Sequence, residues 1–294
     1  MVQSNYLLIV NVFSMNKKID MAFSVNPKET AYFLGFFWAD GTINSKKYLV
    51  IEIVKDDGDE LIDIFNKVAD FKISYRIRPN RKPQMTFFIK DEEACSKLFE
   101  LGKYPKTIES HSKIINFIPN EYRIFFLRGL IDGDGCFYSG PANKKWKNNT
   151  VHFTIGSRYE QDWSGLIDYC TELGFSLTPI KRVAKNKKDK NSCVRSSNFG
   201  SIEAFVKKLY EDDSKICLKR KFDKITYAIN EHHRLTLESL SRRKKFLIKE
   251  PDGTEKTIYN LRKYAMENNL CYDCMSRAAN KNHKYKKYTI KKLN

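Results

Sequence analysis

Two stretches decide the fold: FLGFFWADG at Phe33–Gly41 and LRGLIDGDG at Leu127–Gly135. Each reads Gly-x-x-x-small-Asp-Gly. Gly35 and Ala39 in the first copy, and Gly129 and Gly133 in the second, stand four residues apart and share one face of a helix. Without side chains on that face, two such helices can approach backbone to backbone, so the two copies are expected to pack against each other. Each helix ends in an Asp, Asp40 or Asp134, and the glycine after it, Gly41 or Gly135, is expected to form a left-handed cap. A helix C-terminus carries about half a negative charge. Two Asp brought together there repel, and a cation has to resolve the repulsion. Divalent metals with oxygen ligands do so, and Mg²⁺ suits a site of few carboxylates, waters and phosphate oxygens.

Outward from these motifs the same order of elements runs twice. In the first half, a helix from Glu29 to Ala39 is apolar almost all round, as a buried helix would be. Tyr48 to Val54 alternates like a strand, Asp59 to Ala69 is an amphipathic helix, and Ile73 to Arg78 with Gln84 to Lys90 reads as a hairpin. A helix from Glu92 to Leu101 closes the unit. In the second half the order is a helix Glu121 to Gly133, a strand Val151 to Ile155, a helix Gln161 to Leu173, strands Ser176 to Val183 and Ser192 to Phe199, and a helix Ile202 to Tyr210. A duplication is the simplest account. A further helix, Leu218 to Asn230, leads to the basic linker Arg242-Arg243-Lys244-Lys245. The expected divisions are a leader at 1–26, units at 27–119 and 120–235, and a module at 236–294, with Met15 as an alternative start.

The 294 residues carry 53 Lys+Arg against 35 Asp+Glu, a formal charge of +18, on a chain that is 41% hydrophobic. A disordered basic tail would not contain 13% aromatic residues, so the charge sits on folded domains. Such an excess repels itself unless a polyanion lies against it, and nucleic acid is the leading candidate. The seven cysteines are odd in number and mostly scattered, unlike a disulfide framework. The chain is therefore read as intracellular, in a reducing compartment. The apolar run Tyr6 to Phe13 is too short to span a bilayer, so no membrane partner is expected. Cys271-x-x-Cys274 with His283 resembles half a zinc site but lacks a fourth ligand.

From Lys28 to Asn230 the sequence resembles the LAGLIDADG homing endonucleases of the single-chain kind, on its two Asp-Gly motifs and on LGKYPKTIESHSKIINFIP (Leu101 to Pro119). The resemblance implies an α+β fold of two pseudo-symmetric αββαββα units whose sheets form a DNA-binding saddle, followed by a small, mainly helical C-terminal module. It implies a monomeric, Mg²⁺-dependent, site-specific endonuclease that cuts both strands of a long asymmetric duplex. Two or more divalent ions would sit at the interface of the motif helices, on Asp40 and Asp134, with the carbonyls of Ala39 and Gly133 as further ligands. Asp132, two positions before the metal-binding acid, is not a ligand, and Trp38 stands in its place in the first copy. Relatives also carry a basic residue near each scissile phosphate, for which Lys106, Lys219 and Lys221 occupy suitable places.

In such a saddle, sheet residues read bases while Lys and Arg hold phosphates. The candidates are Asn44, Lys46, Lys47, Arg76, Arg78, Arg81, Lys82 and Gln84 in the first unit. In the second they are Asn143, Lys144, Lys145, Lys147, Lys181, Arg182, Lys185, Arg195 and Asn198. From Ser241 to Asn294 there are 15 Lys+Arg against 5 Asp+Glu. A helix through Leu261, Tyr264 and Ala265, a turn at Asn268-Asn269, and a helix from Tyr272 to Ala279 have helix-turn-helix spacing. The stretch Asn260 to Arg277 is similar to the C-terminal DNA-binding modules of phage-type homing endonucleases, which places Tyr272, Asp273, Ser276 and Arg277 toward DNA. The competing reading keeps the fold without the chemistry: a DNA-binding regulator or an RNA-binding intron maturase.

Overall fold

The computed structural model describes residues 17–103, 108–143, 146–183, 190–212, 214–241, 244–281 and 283–293. The chain divides into two compact units, Met1–His232 and His233–Asn294.

The first unit contains the duplication. Its first repeat runs α1 (Pro27–Asp40), β1 (Gly41–Ile43), β2 (Tyr48–Val54), α2 (Lys55–Val68), β3 (Lys72–Arg76), β4 (Gln84–Lys90) and α3 (Glu92–Glu100). A short helix, α4 (Ser112–Phe117), precedes the second repeat: α5 (Arg123–Asp134), β5 (Gly135–Asn143), β6 (Trp146–Arg158), α6 (Ser164–Glu172), β7 (Thr178–Val183), β8 (Lys190–Ser196) and α7 (Phe199–Leu209). Each repeat forms an antiparallel four-stranded sheet, in the matching orders β1-β2-β4-β3 and β5-β6-β8-β7. The long α8 (Lys219–Ser241) follows.

Helix α1 opens on Pro27, whose missing N–H costs nothing in a first turn, and every residue from Thr30 to Trp38 is buried. One side packs on the aromatic core of its own repeat, where Phe65 meets Phe33 and Phe87 with ring centroids 5.2 and 5.0 Å apart. The other side meets α5. A Cβ placed on Gly35 would lie 1.9 Å from the Phe126 carbonyl oxygen, and one on Gly129 would lie 2.0 Å from that of Tyr32. The helices thus touch through backbone, as the small residues predicted. The second repeat builds an equivalent core on Phe153, Phe175 and Phe205, with the last two rings stacked at 4.0 Å. Burying each such side chain stabilises the fold by about 1.5–3 kcal/mol.

Gly41 and Gly135 differ from expectation. Their backbones are extended, at φ −79°, ψ 151° and φ −75°, ψ 146°, and neither forms a left-handed cap. Crowding is what demands glycine: a Cβ on Gly41 would lie 2.1 Å from the Phe37 ring, and one on Gly135 2.5 Å from the Ile131 carbonyl oxygen.

The second unit holds β9 (Lys245–Lys249), β10 (Glu255–Ile258), α9 (Leu261–Glu267), α10 (Tyr272–Lys281), β11 (Lys284–Tyr285) and β12 (Tyr288–Leu293). The two helices stand where the sequence placed them, with Asn269 at φ 52° in the turn between. The module is not mainly helical, because an antiparallel sheet of order β10-β9-β12-β11 accompanies them. Its own core gathers Phe246, Ile248, Leu261, Ala265, Met275, Ala279 and Ile290. The strand signal was weak in β10 and β12, which are polar and bury none and one of their residues, although β9 buries Phe246 and Ile248 in alternation.

Among the described residues, no helix is long and apolar enough to cross a membrane.

Candidate active site

The last residues of α1 and α5 are Asp40 and Asp134, and both line one cavity of about 250 Å³ with Thr42, Lys103, His111, Ser157, Arg158 and Gln161. A Cβ on Gly133 would lie 2.3 Å from the Ala39 Cβ and 3.5 Å from an Asp40 carboxylate oxygen, so the helix ends converge here. Water reaches both carboxylate tips at the mouth of this enclosure. The enclosing protein still pushes both pKa values up. Asp134 rises to about 6, first through burial and second through the charge of Asp40. For Asp40 burial again dominates, and Lys221 and Lys103 pull the other way.

Two lysines answer the exposed carbonyls of these helix ends. The Lys103 ammonium donates to the Trp38 carbonyl oxygen at 2.7 Å and lies 5.6 Å from the centroid of the Phe37 ring. At 5% exposure this cation has lost nearly all its water, and its pKa drops to about 8 through burial, against the pull of Asp134 and Asp40. At the other helix, Lys221 donates to the carbonyls of Ile131, Gly133 and Gly135 at 3.1, 3.0 and 2.8 Å. Burial lowers its pKa as well. A cation at a helix C-terminus offsets the dipole that Asp40 and Asp134 aggravate.

Helix α8 delivers Lys221, and three contacts fix where α8 begins. The Leu218 amide donates to Asp132 Oδ2 at 2.7 Å, the Lys219 amide donates to Glu60 at 2.9 Å, and Arg220 pairs with Asp57 of α2. Asp132 also accepts from the Tyr32 hydroxyl of α1 at 2.8 Å. The acid two residues before Asp134 is thus an anchor inside the protein, whereas Trp38 in the equivalent place packs on Phe126 and His111.

Of the expected lysines that lie among the described residues, Lys221 is placed near the carboxylates and Lys219 is not. Lys219 is exposed at the first position of α8, and its contact with the site's surroundings is made by its backbone. Lys106 lies outside the described residues. Lys103, which sequence reasoning passed over, holds the corresponding place in the first repeat. Its signal was Gly102: at φ 99° this glycine ends α3, and the turn aims the next residue inward.

In each repeat one sheet face is covered by helices and the other is open. Residues opposed across strands share a face, so register sorts the candidates. Arg76 opposes Gln84, on the open face with Glu52, and Asn44 lies in the turn between β1 and β2. Arg78, Arg81, Lys82 and Lys46 are exposed in the adjoining turns. Lys47 departs from this set: its ammonium sits 4.9 Å from the Phe99 ring centroid, on α3. In the second repeat Arg195 opposes Thr154 and Thr178, and Arg182 opposes Asn191, all on the open face. Lys181, one residue from Arg182, opposes Ser192 on the covered side and reaches the Tyr159 ring. The Asn198 side chain caps α7 by accepting from the Ser201 amide at 3.0 Å. Asn143 and Lys147 lie in β5 and β6, and Lys144, Lys145 and Lys185 lie outside the described residues. In the second unit, Tyr272, Asp273 and Arg277 are exposed and Ser276 is half-buried on α10, while Met275, Ala278 and Ala279 face the core.

Two carboxylates raised in pKa, joined in the cavity by a threonine hydroxyl, form a hard-oxygen donor set of the kind Mg²⁺ accepts. Among the described residues, no group of three or more His, Cys, Asp or Glu side chains gathers as a metal cage.

No protein-family model matches the chain, and no curated sequence is significantly similar to it. Solved structures with a similar fold include the LAGLIDADG meganuclease I-AabMI bound to uncleaved DNA, at 14% identity and TM-score 0.46, covering 73% of this chain and 93% of that one. They also include the LAGLIDADG homing endonuclease I-LtrWI bound to target DNA, at 13% identity and TM-score 0.47, covering 74% and 95%. A third is full-length DUF199/WhiA from Thermatoga maritima, at 14% identity and TM-score 0.39, covering 75% and 69%.

Proposed function

We propose that this chain is a metal-dependent endonuclease that binds a long, asymmetric stretch of duplex DNA and hydrolyses one phosphodiester on each strand. The observation that carries the proposal is the pairing of Asp40 and Asp134 at one point between two repeats, each helix end with its own lysine, buried Lys103 at one and half-buried Lys221 at the other. A protein that only bound nucleic acid would gain nothing from two carboxylates whose pKa values are driven up by their neighbourhood. Two active halves also suit a substrate with two strands.

Asp40 and Asp134 would hold divalent Mg²⁺, with the Ala39 carbonyl as a further ligand, while the Gly133 carbonyl, expected to join them, is taken by the Lys221 ammonium; the ions would neutralise phosphate charge and acidify bound water. The chain's own residues supply the remainder. Lys103 and Lys221 put positive charge beside the carboxylates, where a phosphate gains charge as its bond breaks. Lys103, whose pKa burial lowers to about 8, would give its proton to a departing oxygen. The open sheet faces, with Asn44, Arg76, Gln84, Arg182 and Arg195, form the two halves of the DNA-binding saddle. Because the faces differ in sequence, the target is asymmetric. On α10, Tyr272, Asp273, Ser276 and Arg277 extend the recognised site.

The test is digestion of a randomised duplex library with Mg²⁺ or with chelator, followed by mapping of the ends. Expected is a single enriched double-strand cut that needs the metal and is absent from Asp40→Asn and Asp134→Asn, both of which still bind the selected duplex. No enriched cut with Mg²⁺ or Mn²⁺, or full cutting by either variant, refutes the reading. Binding to structured RNA in preference to the duplex would favour a maturase instead.

A further inference from the structure

The seven cysteines differ sharply in their surroundings. Cys95, Cys170 and Cys193 are buried, and Cys217 is half-buried. Burial pushes the Cys95 and Cys217 thiols up to about 11 and Cys170 to about 12, which removes their thiolates at neutral pH. Cys271 is the opposite case. It is exposed, directly before the first residue of α10, and its carbonyl accepts the Met275 amide at 3.0 Å, so it occupies the cap position of that helix. The amide and the thiol of Cys274 both hydrogen-bond its sulfur, the Asp273 amide adds a third, and together they pull its pKa down against the nearby Asp273 carboxylate. The Arg277 guanidinium reaches the Cys274 sulfur at 3.6 Å, and the Tyr285 hydroxyl accepts the Cys271 amide at 3.4 Å.

Residues three apart on a helix have Cα atoms about 5 Å apart, by its rise and radius. A disulfide spans Cα separations of roughly 4.4–6.8 Å. The two cysteines, Cys271 exposed and Cys274 half-buried, are therefore close enough to be bridged without unwinding the turn. No other His, Cys, Asp or Glu among the described residues completes a metal set around them.

We infer that Cys271 and Cys274 form a reversible dithiol–disulfide site that reacts with low-molecular-weight disulfides, Cys271 attacking and Cys274 resolving. The Cys271 thiolate attacks one sulfur of the small disulfide, a mixed disulfide forms, and one small thiolate leaves and is protonated. Cys274 then gives up its proton and attacks the Cys271 sulfur, the Cys271–Cys274 bond forms, and the second small thiol departs. Two protein thiols lose two electrons and the small disulfide gains them. The inference stands on the second unit alone and is independent of the nuclease reading.

The full chain is treated with oxidised glutathione, quenched with acid, alkylated and mapped by mass spectrometry. In the wild type a 271–274 disulfide should form first, return to two thiols with dithiothreitol, and outpace adduct formation at Cys136, the other exposed cysteine, by roughly ten-fold. Cys274→Ser should halt at a glutathione adduct on Cys271, and Cys271→Ser should leave Cys274 at least ten-fold slower. Reaction at Cys136 before Cys271, an unaltered rate in Cys271→Ser, or no 271–274 bridge in the wild type overturns the proposal.

Discussion

Asp134 is held where ionisation works against folding. Its pKa in the folded chain, about 6, stands above the ordinary 3.8, so the folded state keeps the proton more tightly. The ionised carboxylate therefore costs stability above about pH 6, and that cost fades as pH falls toward about 4. Without metal, chemical denaturation should show Asp134→Asn more stable than wild type at neutral pH by about 1 kcal/mol, discounted for the carboxylate's contact with water. The difference should vanish near pH 4, and added Mg²⁺ should stabilise the wild type alone. Lys103 gives the complementary limb. Its pKa of about 8 means that the charge beside the carboxylates is lost as pH rises through that value. Cleavage at limiting Mg²⁺ should rise as Asp134 ionises and fall above about pH 8, and Lys103→Met should lower the rate roughly a hundred-fold and abolish the alkaline fall. A Lys103→Met profile that still fell above that pH would assign the limb to another group.

Helices α1 and α5 meet through backbone, so their contact tolerates no added atom. Gly35→Ala and Gly129→Ala would each drive a methyl into a carbonyl oxygen held by its own helix, and each should destabilise by about 3 kcal/mol or more in urea denaturation. Gly200→Ala is the control: the nearest atom to its Cβ is a side-chain oxygen 3.7 Å away, inside α7, and a gain of about 0.5 kcal/mol is expected. The α1–α5 pair was legible in the sequence because the small residues repeat at four-residue spacing beside two identical endings. The partners that finish the site were not. Lys221 needed α8 to be docked by Arg220 on Asp57, a contact between residues 163 positions apart. Lys103 hid in a turn whose direction depends on the φ of Gly102. Strand β5 went unread because Gly135–Asn143 is short of branched side chains. Lys181 and Arg182 were read together, but adjacent strand residues cannot share a face, and only the register with β8 decides which one lies on the open side. Buried Arg128 was also silent. It joins α5 to the segment before α8 through the Leu209 and Ile216 carbonyls, Ser214 and Asp212. Arg128→Met leaves those groups unmatched and should cost about 3–5 kcal/mol by the same measurement.

At the level of the molecule, charge is divided between the unit that holds the two repeats and a smaller basic unit with its own core. Deleting residues 241–294 removes 15 Lys+Arg and 5 Asp+Glu. Binding to the selected duplex should weaken and its salt dependence flatten, each lost phosphate contact removing about 0.9 from the slope of log affinity against log salt. Metal-dependent cutting at low salt should survive, and an unchanged slope would detach this unit from DNA. The two repeats are also unequal where they meet. Trp38 lies against Phe126, and Asp132 accepts the Tyr32 hydroxyl. In the duplicated pattern Trp38 matches Asp132, and Tyr32 matches Phe126. Two copies of the first half would set Trp38 against Tyr32 and leave a hydroxyl without its acceptor, while two copies of the second would press Asp132 onto Phe126. Each half is thus keyed to its unlike sibling, and severed halves expressed apart should reassemble as a heterodimer and refuse self-pairing.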